Sequence, residues 1–365
     1  MVRSSYKSVV IWVRRTLISV HRTQSRGFSV PSSGHVVVTE GLQKRYRDTQ
    51  ALAGLDLAVP RSLVYGLLGP NGAGKTTAVR ILCTLLRPDG GRAEVAGHDV
   101  RTEPRLVRRR IGLTGQNTAV DDNITARQNL VMFGRLFHIG TAAARQRAQE
   151  LLDQFGLSHA ADKTPKKFSG GMRRRLDLAS SMILAPDVLF LDEPTTGLDP
   201  AGRREVWQAV GDLASRGTTV VLTTHYLDEA DRLCDRIGVI DHGRNVVEDT
   251  PDGLKRRIGN ERLEIVAAEP ADLPTIRTLV AKVAAAGRTA TVDEGVLAVS
   301  VPVDNGVAAL TEVAAELRQR GIAVADLGLR RPTLDEAFLH LTEERRGADT
   351  QTGTIRPTAQ LEASR

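Results

Sequence analysis

At 365 residues the chain is longer than one ordinary hydrophobic core organises, so two domains are expected. A hydrophobic fraction of 41% with interspersed charge is that of a globular protein, and no run approaches the roughly 18 to 20 apolar residues that span a bilayer, which excludes a membrane channel. Of the 50 Lys and Arg residues, six stand in residues 1–39, where there is no Asp or Glu; the other 44 face 43 acidic residues, and this near-neutral body argues against nucleic acid as a partner.

The basic segment carries Val10, Val13, Leu17 and Val20 at helical spacing. That pattern suits an amphipathic surface helix or a transit-type leader, whereas Arg14 and Arg15 interrupt the apolar run of a secretory signal. The expectation is a disordered leader over residues 1–34. His35 to Glu40 and Leu55 to Val59 read as strands framing a loop, Gln43 to Gln50, that holds Tyr46. Val64 to Leu68 is a short buried strand, and Thr76 to Leu86 is the helix that follows it.

Between them lies Gly69-Pro70-Asn71-Gly72-Ala73-Gly74-Lys75-Thr76-Thr77, the Walker A pattern in the strand–loop–helix context that phosphate binding needs. Gly72 and Gly74 let successive N–H groups turn toward one anion, and the helix N-terminus adds its partial positive charge. Lys75 is placed to reach the β- and γ-phosphates, and the Thr76 hydroxyl to sit on Mg²⁺. The pattern implies a nucleoside triphosphate.

Further along, Arg92 to Ala96 and Ile111 to Thr114 are short strands separated by a polar stretch, and the run from Thr125 to Phe155 is helical. Strands resume at Val188 to Leu191, Thr219 to Thr223 and Ile237 to Ile240, with helices Arg203 to Arg216 and Leu227 to Cys234 between them. Continuous apolar strands alternating with helices predict a parallel sheet covered on both faces. The strand ending Val188-Leu189-Phe190-Leu191 delivers Asp192 and Glu193 at its C-terminal end, where ligands of open α/β sheets bind. Asp192 suits Mg²⁺, a hard cation that takes oxygen ligands, and Glu193 suits the water that attacks the γ-phosphate. Ser169 is a helix N-cap before Gly170 and Gly171, which expose the first N–H groups of that helix as a second anion site, and Arg173-Arg174-Arg175 follows as a basic first turn.

Ser169-Gly170-Gly171 upstream of the Asp192 strand resembles the signature motif of ABC-type ATPases, and the match extends over about Val36 to Asp249. The resemblance implies an α/β P-loop NTPase (ABC ATPase) with a helical lobe at about 117–180 inside a domain at 35–252. It implies ATP and Mg²⁺ as cofactors. Gln116 then falls at the Q-loop, with the metal and the attacking water, Gly197-Leu198-Asp199 at the D-loop, His225 at the H-switch, and Tyr46 where an aromatic stacks on adenine. It further implies a head-to-tail homodimer in which Lys75 and Thr76 act in cis while Ser169 and Gly171 act in trans. The partner would be a transmembrane permease subunit gripped by the helical lobe, with the chain peripheral on the cytoplasmic side of the cell membrane. Met172 departs from the glutamine that many members carry.

The run SGGMRRRLDLA and the segment Pro332-Thr333-Leu334-Asp335-Glu336-Ala337-Phe338-Leu339 resemble the ATP-binding subunits of daunorubicin/doxorubicin-type exporters. Export of lipid or polysaccharide, and a soluble ABC ATPase outside transport, are the alternatives. A translation factor of the family usually carries two motif sets, and a DNA-repair member needs a long heptad insertion; this chain has one set and no such insertion.

After about Gly253 the pattern becomes β-α-β-β-α-β, which fits a small α+β (ferredoxin-like) module over 253–345 with no recognisable chemical site. Thr333 with Glu336 three residues on predicts a last helix reaching about Leu341, and 346–365 reads as a disordered tail. Cys83 and Cys234 lie in separate apolar segments and read as buried thiols in a reducing compartment.

Overall fold

The computed structural model describes residues 34–115, 118–257 and 261–338; the expected leader, Gln116 and the tail lie outside the described residues. Two compact units meet at Thr250/Pro251. The first opens with β1 (His35–Tyr46) and β2 (Thr49–Pro60), which pair antiparallel along their whole length. Gln43 to Gln50, expected as a loop, is therefore strand closed by a tight turn with Arg47 at φ 50°. Its outer residues are polar because that end of the ribbon faces water, which hid the strand from a hydrophobicity pattern. With β4 (Gly90–Val95) and β5 (His98–Asp99) the ribbon forms a sheet in the order β2-β1-β4-β5.

The second sheet has the order β10-β9-β3-β8-β7-β6. Its parallel strands are β3 (Val64–Leu68), β6 (Ile111–Thr114), β7 (Val188–Asp192), β8 (Thr219–Thr223) and β9 (Arg236–Asp241), with β10 (Arg244–Asp249) antiparallel at one edge. Every residue of β3, β7 and β8 is buried, as expected of strands covered on both faces. Helix α1 (Lys75–Leu82) ends earlier than its pattern predicts, because Cys83 caps it and Thr84 turns left-handed at φ 59°. It packs against β2, β4 and β7, so one core runs from Val36 and Leu55 through Ile81 to Phe190. Cys83 and Cys234 are both free and buried, and burial raises both thiol pKa values.

The polar stretch before β6 contains α2 (Pro104–Arg110), of which only Val107 is buried. The helical lobe is built from α3 (Ala126–Leu136), α4 (Thr141–Gln154) and α5 (Gly170–Ser181). The break between α3 and α4 falls at His138 and Gly140, both at positive φ. Thr125 and Gln128 form a reciprocal capping box at the start of α3. Helices α6 (Pro200–Ser215) and α7 (Leu227–Leu233) complete the first unit.

The second unit begins with α8 (Pro251–Arg257) and continues as β11 (Arg262–Ala267), α9 (Leu273–Lys282), β12 (Thr291–Asp293), β13 (Ala298–Pro302), α10 (Gly306–Arg320) and β14 (Val324–Arg330). Its strands are antiparallel in the order β12-β13-β11-β14. Leu263 and Ile265 alternate with polar neighbours on β11 and bury against Ile276, Val280, Val313 and Leu317 of the helices. Thr333 N donates to Glu336 Oε2 (2.8 Å) and Glu336 N to Thr333 Oγ1 (3.3 Å), opening a helix whose continuation beyond 338 lies outside the described residues.

Candidate functional site

The loop between β3 and α1 is held by its glycines. Gly74 has φ 108°, and a Cβ there would stand 2.5 Å from the Ala51 carbonyl oxygen of β2. Gly69 has φ 154°, and a Cβ there would stand 2.1 Å from the Ile240 carbonyl oxygen of β9. No other residue type fits either position. Pro70, Asn71 and Gly72 form the exposed lip of the loop, and Ala73 and Gly74 are buried under it. Helix α1 starts with neither a side-chain cap nor an acidic residue in its first turn, which leaves its leading N–H groups to an anion.

Lys75 is 7% exposed, and its Nζ donates to the carbonyls of Gly69 (2.6 Å) and Pro70 (3.0 Å). Burial lowers the pKa of this ammonium, against the opposing pull of Glu193 and then Asp192. An anion in the loop would compensate that desolvation. Thr76 Oγ1 lies 3.3 Å from Asp192 Oδ1, so two oxygen donors of the kind Mg²⁺ takes stand side by side beneath the loop. An uncapped helix end, a buried ammonium and this oxygen pair fit Mg²⁺ with a triphosphate. Thr77 follows, half-buried on α1.

Asp192 ends β7, and its Oδ1 also accepts from Thr223 Oγ1 of β8 (2.6 Å). Glu193, the next residue, is left-handed at φ 51°, a conformation that costs a non-glycine residue roughly 1–3 kcal/mol. The bond from Glu193 N to Thr223 O (3.0 Å) holds it there. Its Oε2 accepts from Thr196 Oγ1 (3.2 Å), and its Oε1 lies 3.4 Å from His225 Nδ1. His225 stacks obliquely on Tyr226 at a centroid distance of 4.1 Å, and Arg203 lies over the other ring at 4.2 Å.

Ser169 caps α5 by accepting from Met172 N (3.1 Å), so the departure at Met172 leaves this backbone bond intact. Gly171 is buried against α6, where a Cβ would stand 2.8 Å from Glu205 Oε2. The three arginines after it are each engaged within the chain. Arg173 donates to Pro165 O and pairs with Asp122, Arg174 turns inward, and Arg175 donates to Phe155 O and pairs with Glu205. Three consecutive residues of a helix point about 100° apart, so the run ties α5 to three different segments.

Lys75, Thr76, Asp192, Glu193 and His225 are thus brought together at the C-terminal ends of β3, β7 and β8. Ser169, Gly170 and Gly171 make no hydrogen bond to the phosphate loop among the described residues. Asp199 caps α6 by accepting from Gly202 N. Tyr46 stands at the hairpin tip, 42% exposed, with Lys44 Nζ 5.9 Å from its ring centre. Thr223 and Thr196 were not anticipated from sequence; a threonine at a strand end carries no motif. Among the described residues no group of three or more His, Cys, Asp or Glu could hold a metal by itself, and no helix is long and apolar enough to cross a membrane.

The family model for ABC transporters matches residues 52–196. The chain is 60% identical over 312 residues to a daunorubicin resistance ATP-binding protein of Streptomyces coeruleorubidus, covering 86% of this chain and 96% of that one. It is 51% identical over 309 residues to a daunorubicin/doxorubicin resistance ATP-binding protein of Streptomyces peucetius, covering 84% and 92%. Among solved structures, an ATP-binding cassette captured as a dimer after hydrolysis, with ADP and Pi, superposes with a TM-score of 0.53 at 25% identity, covering 59% of this chain and 98% of that one. The chain therefore belongs to the ATP-binding proteins of ABC transporters, within the daunorubicin/doxorubicin resistance group, and is an ATPase of that family.

Proposed function

We propose that the chain hydrolyses ATP as a homodimer on the cytoplasmic face of a membrane and drives efflux of daunorubicin- or doxorubicin-like drugs through a separate permease subunit. The observation that carries the hydrolytic half is the approach of His225 Nδ1 to Glu193 Oε1, at 3.4 Å, beside Asp192 and the phosphate loop. The names and identities of the relatives favour drugs over lipid or polysaccharide as cargo.

In this reading Gly69 to Thr77 cradle the phosphates, Lys75 draws on the β- and γ-phosphates, and Thr76, Asp192 and Gln116 hold Mg²⁺. Mg²⁺ held by these residues would neutralise the charge that develops on the transferred phosphoryl group. Glu193 accepts hydrogen bonding from the attacking water, and His225 steadies Glu193 and the γ-phosphate. Tyr46 stacks on the base from the hairpin tip. Ser169, Gly170, Gly171 and Asp199 act on the nucleotide held by the opposite subunit, which is consistent with their having no bond to their own loop. The solved dimer among the structural relatives supports that arrangement.

A groove of about 760 Å³ on α3 and α4, lined by Val131, Met132 and Leu136 with Arg127, Arg135 and Arg145, is the surface assigned to the permease. The second unit, with no chemical site recognised among its described residues, is assigned to partner association. Doxorubicin fluorescence in cells expressing the chain with its co-purifying membrane protein tests the whole reading. Efflux should disappear with Lys75→Ala in the chain; efflux unaffected by that variant would remove ATP hydrolysis here from transport.

A further inference from the structure

The inward arginine of the signature helix has no role in the mechanism above. Arg174 is 6% exposed, and its Nε donates to the carbonyl of Pro194 (2.7 Å), the residue after Glu193. Its Nη1 donates to the carbonyl of Gly115 (2.7 Å), the residue before Gln116, and to Asp177 Oδ2 (3.3 Å). Asp177 is 3% exposed, and its Oδ1 accepts from Ala119 N (2.9 Å), on the far side of Gln116. One buried ion pair on α5 therefore grips the turn that carries Glu193 and both flanks of the segment that carries Gln116.

A planar guanidinium is the side chain that can serve two carbonyls in different directions from one rigid fork; an ammonium offers a single point. The Glu193 backbone is held left-handed and needs support from its surroundings. The bond from Arg174 to Pro194 O supplies support from α5, in addition to the bond that Thr223 O of β8 accepts from Glu193 N.

We propose that Arg174, held by Asp177, is a positioning residue for hydrolysis that fixes the Glu193 turn, together with Gly115 and Ala119, to the signature helix. It acts through the backbone, by the carbonyls of Pro194 and Gly115. The proposal rests on the assignment of Glu193 as the hydrolytic carboxylate. Because Ser169 caps α5, a shift of the signature on engaging the other subunit's nucleotide would reach Glu193 through this fork.

The test compares full-length wild type with Arg174→Lys, the double variant Arg174→Met/Asp177→Asn and Glu193→Gln. The double variant removes both charges together, so no buried charge is left unpaired. Each protein is measured for melting temperature, binding of a fluorescent ATP analogue and steady-state ATPase activity. In the double variant, analogue affinity should stay within about 3-fold of wild type, while kcat falls at least about 10-fold, below the roughly 10²-fold that a 1 Å misplacement can cost. Arg174→Lys should recover part of the loss through the Pro194 carbonyl.

A folded double variant with wild-type kcat would overturn the proposal. So would kcat and analogue affinity falling together with melting temperature, the signature of a purely structural pair. Should the double variant not fold, Arg174→Lys decides alone: a kcat reduced at unchanged affinity supports the proposal, and a wild-type kcat refutes it. Wild-type activity in Glu193→Gln would instead overturn the assignment of Glu193 on which the proposal stands.

Discussion

Glu193→Gln separates charge from shape at the carboxylate assigned to the attacking water. The two oxygens lie 3.4 Å from His225 Nδ1 and 3.2 Å from Thr196 Oγ1. An amide keeps one acceptor oxygen and adds an NH2 that either neighbour can accept. The backbone position, fixed by φ 51° and the bond to Thr223 O, does not involve the side chain. Lys75 keeps the field of Asp192, and the oxygen pair of Thr76 and Asp192 is untouched. What disappears is the charge that would let Glu193 act as a base. General-base help contributes roughly 10²- to 10⁴-fold, so turnover should fall by at least ~10²-fold, about 2.7 kcal/mol of barrier. ATP with Mg²⁺ should still bring two chains together, and the step that reopens them is the one slowed.

Size exclusion in ATP and Mg²⁺ should therefore show Glu193→Gln as a dimer while wild type, under the same hydrolysing conditions, runs mostly as monomer. Asp192→Asn gives the contrast. It weakens the acceptor that receives both Thr223 Oγ1 (2.6 Å) and Thr76 Oγ1 (3.3 Å), so Mg²⁺-dependent dimerisation and hydrolysis should be lost together. Two variants that behaved alike, both monomeric with ATP and Mg²⁺, would refute the division into a metal carboxylate and a catalytic carboxylate.

Ser169→Arg should leave nucleotide binding by the monomer near wild type and block ATP-dependent dimerisation, since Ser169 is exposed and makes no bond to its own phosphate loop; a collapse of monomer affinity would show that it acts in cis. Asp177 is an acid whose pKa burial pushes up to about 6 from an ordinary 3.8, so the folded state holds its proton more tightly than the unfolded state, and its contribution to stability is largest below about pH 4 and is lost as pH rises through about 6. Urea unfolding should accordingly show Asp177→Asn gaining on wild type between those pH values and running parallel to it above; a constant difference would contradict the burial argument. Truncation after Thr250, at the boundary between the two compact units, should spare basal ATPase activity and impair association with the membrane partner, and a folded truncation without hydrolysis would place the second unit in the catalytic step.

What the sequence makes legible is what depends on local pattern. The phosphate loop shows because its glycines answer to positive φ, and β3, β7 and β8 show because strands buried on both faces must be apolar throughout. Elements that are polar over most of their length do not show. The polar half of the β1–β2 ribbon, the edge strand β10 and α2, with only Val107 buried, carry too few apolar residues to mark a period. The arginine run carries no such mark. Three adjacent arginines read only as a basic first turn, and what places Arg174 inside is the location of two carbonyls 20 and 59 residues away in the chain. One local signal was available: Asp177 stands one turn later between Leu176 and Leu178, both fully buried, and a carboxylate in such a place requires a cation at hand.

The site itself is a product of strand order rather than of any motif. The strand that feeds the phosphate loop and the strand that carries the two carboxylates are not neighbours; β8 lies between β3 and β7, so the two are separated by two strand spacings, about 10 Å. Side chains must bridge that gap, and Thr223 at the end of β8 is the bridge. Its hydroxyl donates to Asp192, whose same oxygen receives Thr76 from the far side of β8, while its carbonyl receives Glu193 N. A strand without a phosphate-binding motif of its own thereby fixes Asp192, the carboxylate assigned to the metal, by its side chain and Glu193, the carboxylate assigned to the water, by its backbone. Its continuation, two residues on, places His225 against Glu193. The loop at β3 and the carboxylates at β7 can therefore act on one nucleotide because β8 holds both to a common register.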